Sequence, residues 1–142
     1  MNLSRNKKII LIVFLILIIF SAASLVYLSI HYSSDDIVNV YLTSSDTVTV
    51  SHIDNGYYFK GKGGSDKAII FYPGAKVEYT AYAPLMYHLA ENNIDCFLME
   101  MPFNMAIFGV DEADAIIDSY NYTDYYMAGH SLGASMAASY AN

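Results

Sequence analysis

The sequence predicts an α/β fold behind an N-terminal transmembrane helix, and three observations predict it. Residues 9–30 contain no charged side chain. From residue 37 onward, short apolar or alternating runs take turns with amphipathic stretches, the pattern of βαβ units in a mostly parallel sheet. Near the end, Tyr125-Tyr126-Met127-Ala128 stops at Gly129-His130-Ser131-Leu132-Gly133, and small helix-forming residues follow. That reads as strand, sharp turn and helix, with a serine at the apex.

Residues 1–8 form a basic segment with Arg5, Lys7 and Lys8. Residues 9–30 then reach roughly 33 Å as a helix, enough to cross the hydrocarbon core of a bilayer. Basic residues before this span and Asp35-Asp36 after it predict a cytoplasmic N-terminus and an extracytoplasmic remainder at the cell membrane. Ser21-Ala22-Ala23-Ser24 also has the small residues of a signal-peptidase site, which would make the remainder secreted. Leu25-Val26-Tyr27-Leu28 resumes the apolar run, and that length favours an uncleaved signal anchor. Beyond it stand Lys60, Lys62, Lys67 and Lys76 against all fourteen acids, a net charge of −10. Such a surface gives no support for nucleic acid binding. The single Cys96 excludes an internal disulfide and sits in an apolar run, as a buried thiol does.

Residues 31–36 read as a polar linker and residues 37–142 as one domain. Apolar and polar residues alternate over 37–43, predicting a strand before a turn at Ser44-Ser45-Asp46. Residues 48–53 and 57–60 form a hairpin around Asp54-Asn55-Gly56, an antiparallel entry to the sheet. Residues 61–66 are a glycine-rich connector without the spacing of a phosphate loop. The continuous apolar runs 68–72 and 94–99 predict parallel strands covered on both faces. Between them, after Pro73-Gly74-Ala75, residues 79–92 predict a helix with Leu85 and Leu89 on its apolar stripe. Pro102 ends the second run. Residues 109–120 predict an acidic helix whose inner face holds Val110, Ala113, Ile116 and Ile117. Residues 124–128 and 131–142 are the strand and helix flanking the turn.

A nucleophile elbow explains the two glycines of that turn. A serine at its apex takes a strained backbone conformation that stands its hydroxyl clear of the sheet. Glycines two residues before and after remove side chains from a tight strand–helix crossing. The helix starting there offers its free N–H groups and positive dipole end to a developing anion. With FYPGAKVEYTAY after one strand, MEMPFNMA after the next and MAGHSLGAS in that order, the chain resembles the α/β-hydrolase superfamily. It looks most like the dienelactone-hydrolase-related branch in a membrane-anchored bacterial form. The resemblance covers residues 37 to 142 and implies an incomplete α/β-hydrolase fold. It implies Ser131 as nucleophile, the N–H groups of Leu132 and Ala75 as oxyanion hole, and Gly129 and Gly133 as elbow glycines. It implies a small-molecule ester or related acyl substrate. No metal-ligand cluster or nucleotide fingerprint stands out, so no cofactor and no metal is implied.

The pattern also departs from that superfamily. Triad members there run serine, acid, histidine. Here the eleven residues after Ser131 contain no Asp, Glu or His, and His31, His52, His88 and His130 all precede it. The chain is therefore expected to be the N-terminal part of a longer serine hydrolase, inactive by itself. The competing expectation is a non-catalytic anchored α/β binding domain or pseudoenzyme. His130 is expected to pack beside the site, Glu78 to neighbour a helix start, and Glu100 to be solvated. Substrate and oligomeric state are not legible.

Overall fold

The computed structural model describes residues 4–142, so residues 1–3 of the basic segment lie outside the described residues. The chain divides into two compact units, residues 1–30 and 31–142. In the first, helix α1 (Arg5–Ser29) has no buried residue and a mean hydropathy of 3.2 over its most apolar window. Among the described residues it is the one helix long and apolar enough to cross a membrane, a description that a signal sequence also meets.

The second unit is built on a five-stranded sheet with the order β1-β2-β4-β3-β5. Strands β1 (Val48–Ile53) and β2 (Gly56–Gly61) form the expected antiparallel hairpin, and β2 also runs antiparallel to β4 (Asp95–Met99). Strand β3 (Lys67–Tyr72) lies parallel between β4 and β5 (Asp124–Gly129). The hairpin closes at Gly56, whose φ of +146° suits glycine and whose added Cβ would meet the Leu98 carbonyl oxygen at 2.0 Å. A side chain there cannot coexist with the β2–β4 pairing.

The pleat sends alternate residues of β3 and β4 to two separate cores. Phe71, Cys96 and Leu98 pack with Ala83, Met86 and Ala90 of helix α2 (Ala83–Glu91). Ile70, Tyr72, Phe97 and Met99 pack on the other face with helices α3 (Ala113–Ser119) and α4 (Leu132–Tyr140). Helices on both faces of the parallel strands make the expected α/β layering. Burial pushes the Cys96 thiol up to about 12, the state of an inert core cysteine. Among the described residues, β5 has no strand on its outer side, and Tyr126 there is half exposed.

Asp95, fully buried where β4 begins, holds the amino end of the sheet. Its Oδ1 accepts from the Gly61 N–H at 2.9 Å and its Oδ2 from the Tyr122 hydroxyl at 2.5 Å. A buried carboxylate is tolerable only with such donors. Burial raises Tyr58 to about 12 beside it.

Three local expectations need correction. Residues 37–43 are not a strand; Asp36–Leu42 form a 3₁₀ helix. Asp35 starts it by accepting the Ile37 N–H at 3.0 Å, and Val38 and Tyr41, three apart, turn inward while Ile37 and Val40 face solvent. The alternation that suggests a strand is thus the three-residue repeat of a tighter helix. The helix expected over 79–92 splits into a 3₁₀ turn, Tyr79–Tyr82, and α2, because Pro84 supplies no N–H at that point. Met86 and Ala90 form its inner stripe, and Leu85 is 49% exposed. Similarly, Val110–Glu112 is a 3₁₀ turn before α3, and Ile117 lies outside the core that Ala113 and Ile116 enter.

The linker is not loose either. Tyr32 bridges Val77 in parallel, and the Ser34 N–H donates to Glu78 Oε2 at 2.8 Å. That bond is the main cause of a Glu78 carboxyl held below the ordinary glutamate range. A lowered folded-state pKa means the contact is fully present above about pH 4.3, the usual value, and weakens as pH falls through the lowered one. The protection factor of the Ser34 amide, exchange relative to an unstructured amide at the same pH, should therefore fall on acidification below that range, and Glu78→Gln should remove the pH dependence of that factor.

Candidate active site

The carboxyl ends of β3, β4 and β5 are where parallel sheets gather functional groups. At the end of β5 the His130 N–H donates to the Tyr72 carbonyl at 3.1 Å, extending the β3–β5 ladder by one bond. The chain then turns at Ser131, with φ 52° and ψ −120°, and α4 begins at the next residue. An ordinary N-cap serine has extended backbone and bonds its own helix. Ser131 has neither property: its φ is positive and its hydroxyl makes no cap bond. Its side chain is exposed.

Close backbone approach holds this turn. A Cβ at Gly129 would lie 2.6 Å from Ala134 N and from the Gly133 carbonyl carbon. One at Gly133 would lie 2.2 Å from the Tyr72 oxygen and 2.3 Å from the Pro73 oxygen. The first glycine lets the strand cross the helix it feeds, and the second lets that helix press against the end of β3. Both elbow glycines are thus required by space, as the sequence pattern implies.

The same contact brings the loop Pro73-Gly74-Ala75 against the elbow. Pro73 and Gly74 are buried, and Ala75 is partly exposed. The Gly74 N–H donates to the Tyr82 hydroxyl at 3.2 Å, and that hydroxyl is 2.9 Å from His130 Nδ1. Tyr82 therefore ties the loop to the elbow, a role invisible in a sequence where it reads only as an apolar position. Gly74 makes room for both partners, since a Cβ there would meet His130 Nδ1 at 2.6 Å and the Tyr82 oxygen at 2.9 Å. Beyond it the chain turns through Lys76, φ 61°, whose N–H donates to the Asn104 carbonyl at 2.7 Å. The Leu132 and Ala75 N–H groups have no acceptor among the described residues.

Strained backbone concentrates here. Of the five described non-glycine residues with left-handed φ, Lys76, Phe103, Asn104 and Ser131 all lie in loops at this end of the sheet. Each costs roughly 1–3 kcal/mol and persists only where surrounding contacts over-determine it. Beneath the turn, the Tyr72 hydroxyl donates to the Val110 carbonyl at 2.7 Å and accepts the Ala113 N–H at 3.0 Å. Burial raises it to about 12, so it stays a neutral structural strut.

The structure brings Ser131, Leu132, Gly129, Gly133 and the Ala75 loop together, and keeps other candidates apart. Glu78 stands at the N-cap position of the Tyr79–Tyr82 turn, next to a helix start as expected, but its side chain makes no cap bond and holds the linker instead. Glu100 is exposed, as expected. His88 pairs with Glu91 at 2.7 Å, and His52 packs edge-on against Tyr57. His130 turns to Tyr82, and among the described residues no hydrogen bond joins it to Ser131.

Comparison with known proteins adds one match. The Alpha/beta hydrolase family model matches residues 68–142, a little over half of the chain and all of the site. No curated protein and no solved structure matches.

Two substitutions test this geometry. Gly133→Ala should lower stability by roughly 1–3 kcal/mol, because backbone rather than a flexible side chain blocks the new methyl. Tyr82→Phe should cost about 1 kcal/mol and loosen residues 73–75, seen as faster amide exchange at Gly74.

Proposed function

The chain belongs to the alpha/beta hydrolase family, and from that premise we propose that it carries the nucleophile half of a membrane-anchored, extracytoplasmic serine hydrolase. The observation that supports this most is the backbone of Ser131: strained, exposed, uncapped and set at the start of α4. Ser131 Oγ attacks the carbonyl carbon of an ester or related acyl substrate. The carbonyl π bond opens to a tetrahedral oxyanion, and its collapse expels the alcohol and leaves an acyl-serine. Water then adds to the acyl carbon, and the acid leaves as Ser131 is restored. The N–H groups of Leu132 and Ala75 receive the oxyanion, an interaction worth roughly 3–4 kcal/mol per donor.

A serine hydroxyl needs a base to react at neutral pH. Among the described residues His52, His88 and His130 have other partners, and none of these three is bonded to Ser131. On this reading the base and its orienting acid come from another segment of polypeptide. The same observation favours a second reading, an anchored binding domain that keeps the scaffold without the reaction.

A fluorophosphonate probe separates the two. The 142-residue chain should label at background rate, with no change in His130→Gln. The gene product made in its own cells should label, and Ser131→Ala should abolish that labelling. Silence there contradicts the hydrolase reading and leaves the binding domain. Rapid labelling of the 142-residue chain that needs His130 contradicts the missing base.

A further inference from the structure

The direction of the Ala75 N–H is set by hydrogen bonds that lead back to the linker. Residues 31–34 belong to the same compact unit as the site. The Gly74–Ala75 peptide is trans, so the Ala75 N–H points opposite to the Gly74 carbonyl within one plane. That carbonyl accepts the Val77 N–H at 3.3 Å. Whatever holds Val77 therefore aims the Ala75 N–H. The Gly74 N–H is already committed to the Tyr82 hydroxyl, so Ala75 carries the donor that this turn leaves over.

Val77 is held by the linker backbone. Lys76 before it is left-handed, a conformation that costs a non-glycine residue roughly 1–3 kcal/mol and needs outside contacts to persist. Tyr32 forms a parallel bridge with Val77 and grips both of its neighbours. The Tyr32 N–H donates to the Lys76 carbonyl at 2.8 Å, and the Tyr32 carbonyl accepts the Glu78 N–H at 2.9 Å. Two residues on, the Ser34 N–H donates to Glu78 Oε2, and the Ser34 hydroxyl lies 2.8 Å from that of the buried Thr80. The Tyr32 side chain is 77% exposed, so its backbone does the holding.

We propose that Tyr32 and Ser34 are positioning residues for the oxyanion hole, clamping residues 76–80 so that the Ala75 N–H stays aimed at the developing oxyanion. The inference rests on the hydrolase reading of Ser131. It extends that reading to a segment outside residues 68–142, the part that the family model matches. A displacement of about 1 Å at a catalytic group can cost about 100-fold in rate, and an oxyanion donor acts on the transition state more than on bound substrate.

The test uses the gene product purified from its own cells, with p-nitrophenyl acetate as the ester. Turnover is divided by the number of serines that a fluorophosphonate probe titrates. Tyr32→Pro deletes one N–H of the clamp and keeps the carbonyl, while Glu78→Ala deletes the acceptor of the Ser34 N–H. Both should lower kcat per titrated serine by roughly ten- to a hundredfold, with KM within about twofold of the wild type. Tyr32→Ala keeps the N–H and Glu78→Gln keeps an acceptor oxygen, so each should rescue kcat to within about twofold. A clamp that only stabilises the fold lowers the number of titrated serines and leaves kcat per serine unchanged. That result overturns the inference while Ser131 still reacts. Where Tyr32→Pro yields no titratable serine, Glu78→Ala decides between the two outcomes. A wild type without turnover, or turnover that survives Ser131→Ala, overturns the hydrolase reading and this inference with it.

Discussion

Two backbones crossing without side chains between them, at Gly129 and Gly133, set the geometry of the whole carboxyl edge. Contacts of 2.2–2.6 Å to an added Cβ leave no room for any other residue. Because Gly133 lies against the Tyr72 and Pro73 carbonyls, α4 must begin directly above the end of β3. The chain has one residue, Ser131, in which to reverse from strand to helix, and it does so by adopting a positive φ. Strain, exposure of the hydroxyl and nearness of the Ala75 loop all follow from that crossing.

The opposite end of the sheet is fastened by different means. There Asp95 is buried and satisfied by Gly61 and Tyr122, while the Tyr58 and Phe97 rings stack on one another and Tyr120 meets both at an angle. Stability at the amino end comes from a buried polar cluster and packed rings. The carboxyl end instead holds four left-handed non-glycine residues. A rigid base under a strained rim is the division expected when a scaffold holds a site in place.

Much of this was legible in the sequence because it rests on short-range rules. Asp54-Asn55-Gly56 between alternating runs specifies a hairpin, and unbroken apolar runs at 68–72 and 94–99 specify strands buried on both faces. Gly129 and Gly133 about Ser131 specify the elbow by spacing alone. What was not legible depends on partners distant in the chain. Residues 37–43 alternate as a strand would, but among the described residues no strand offers them a ladder, and Asp35 caps a 3₁₀ helix instead. Leu85 fits the helical stripe by period, yet Pro84 resets where the helix starts, and Met86 takes the inward position. Tyr82 joins Gly74 to His130 across 48 residues of chain, a link that no local pattern announces.

The central claim is that Ser131 is a strained elbow residue rather than a helix cap, and equilibrium unfolding of the full chain in detergent tests it most directly. Ser131→Gly should stabilise the α/β unit by about 1 kcal/mol, the relief of a left-handed backbone less the entropy of glycine. Ser131→Ala should leave stability nearly unchanged, since no cap bond is lost. A capping serine gives the reverse order, with alanine costing about 1 kcal/mol and glycine a few tenths. That reverse order would contradict the account.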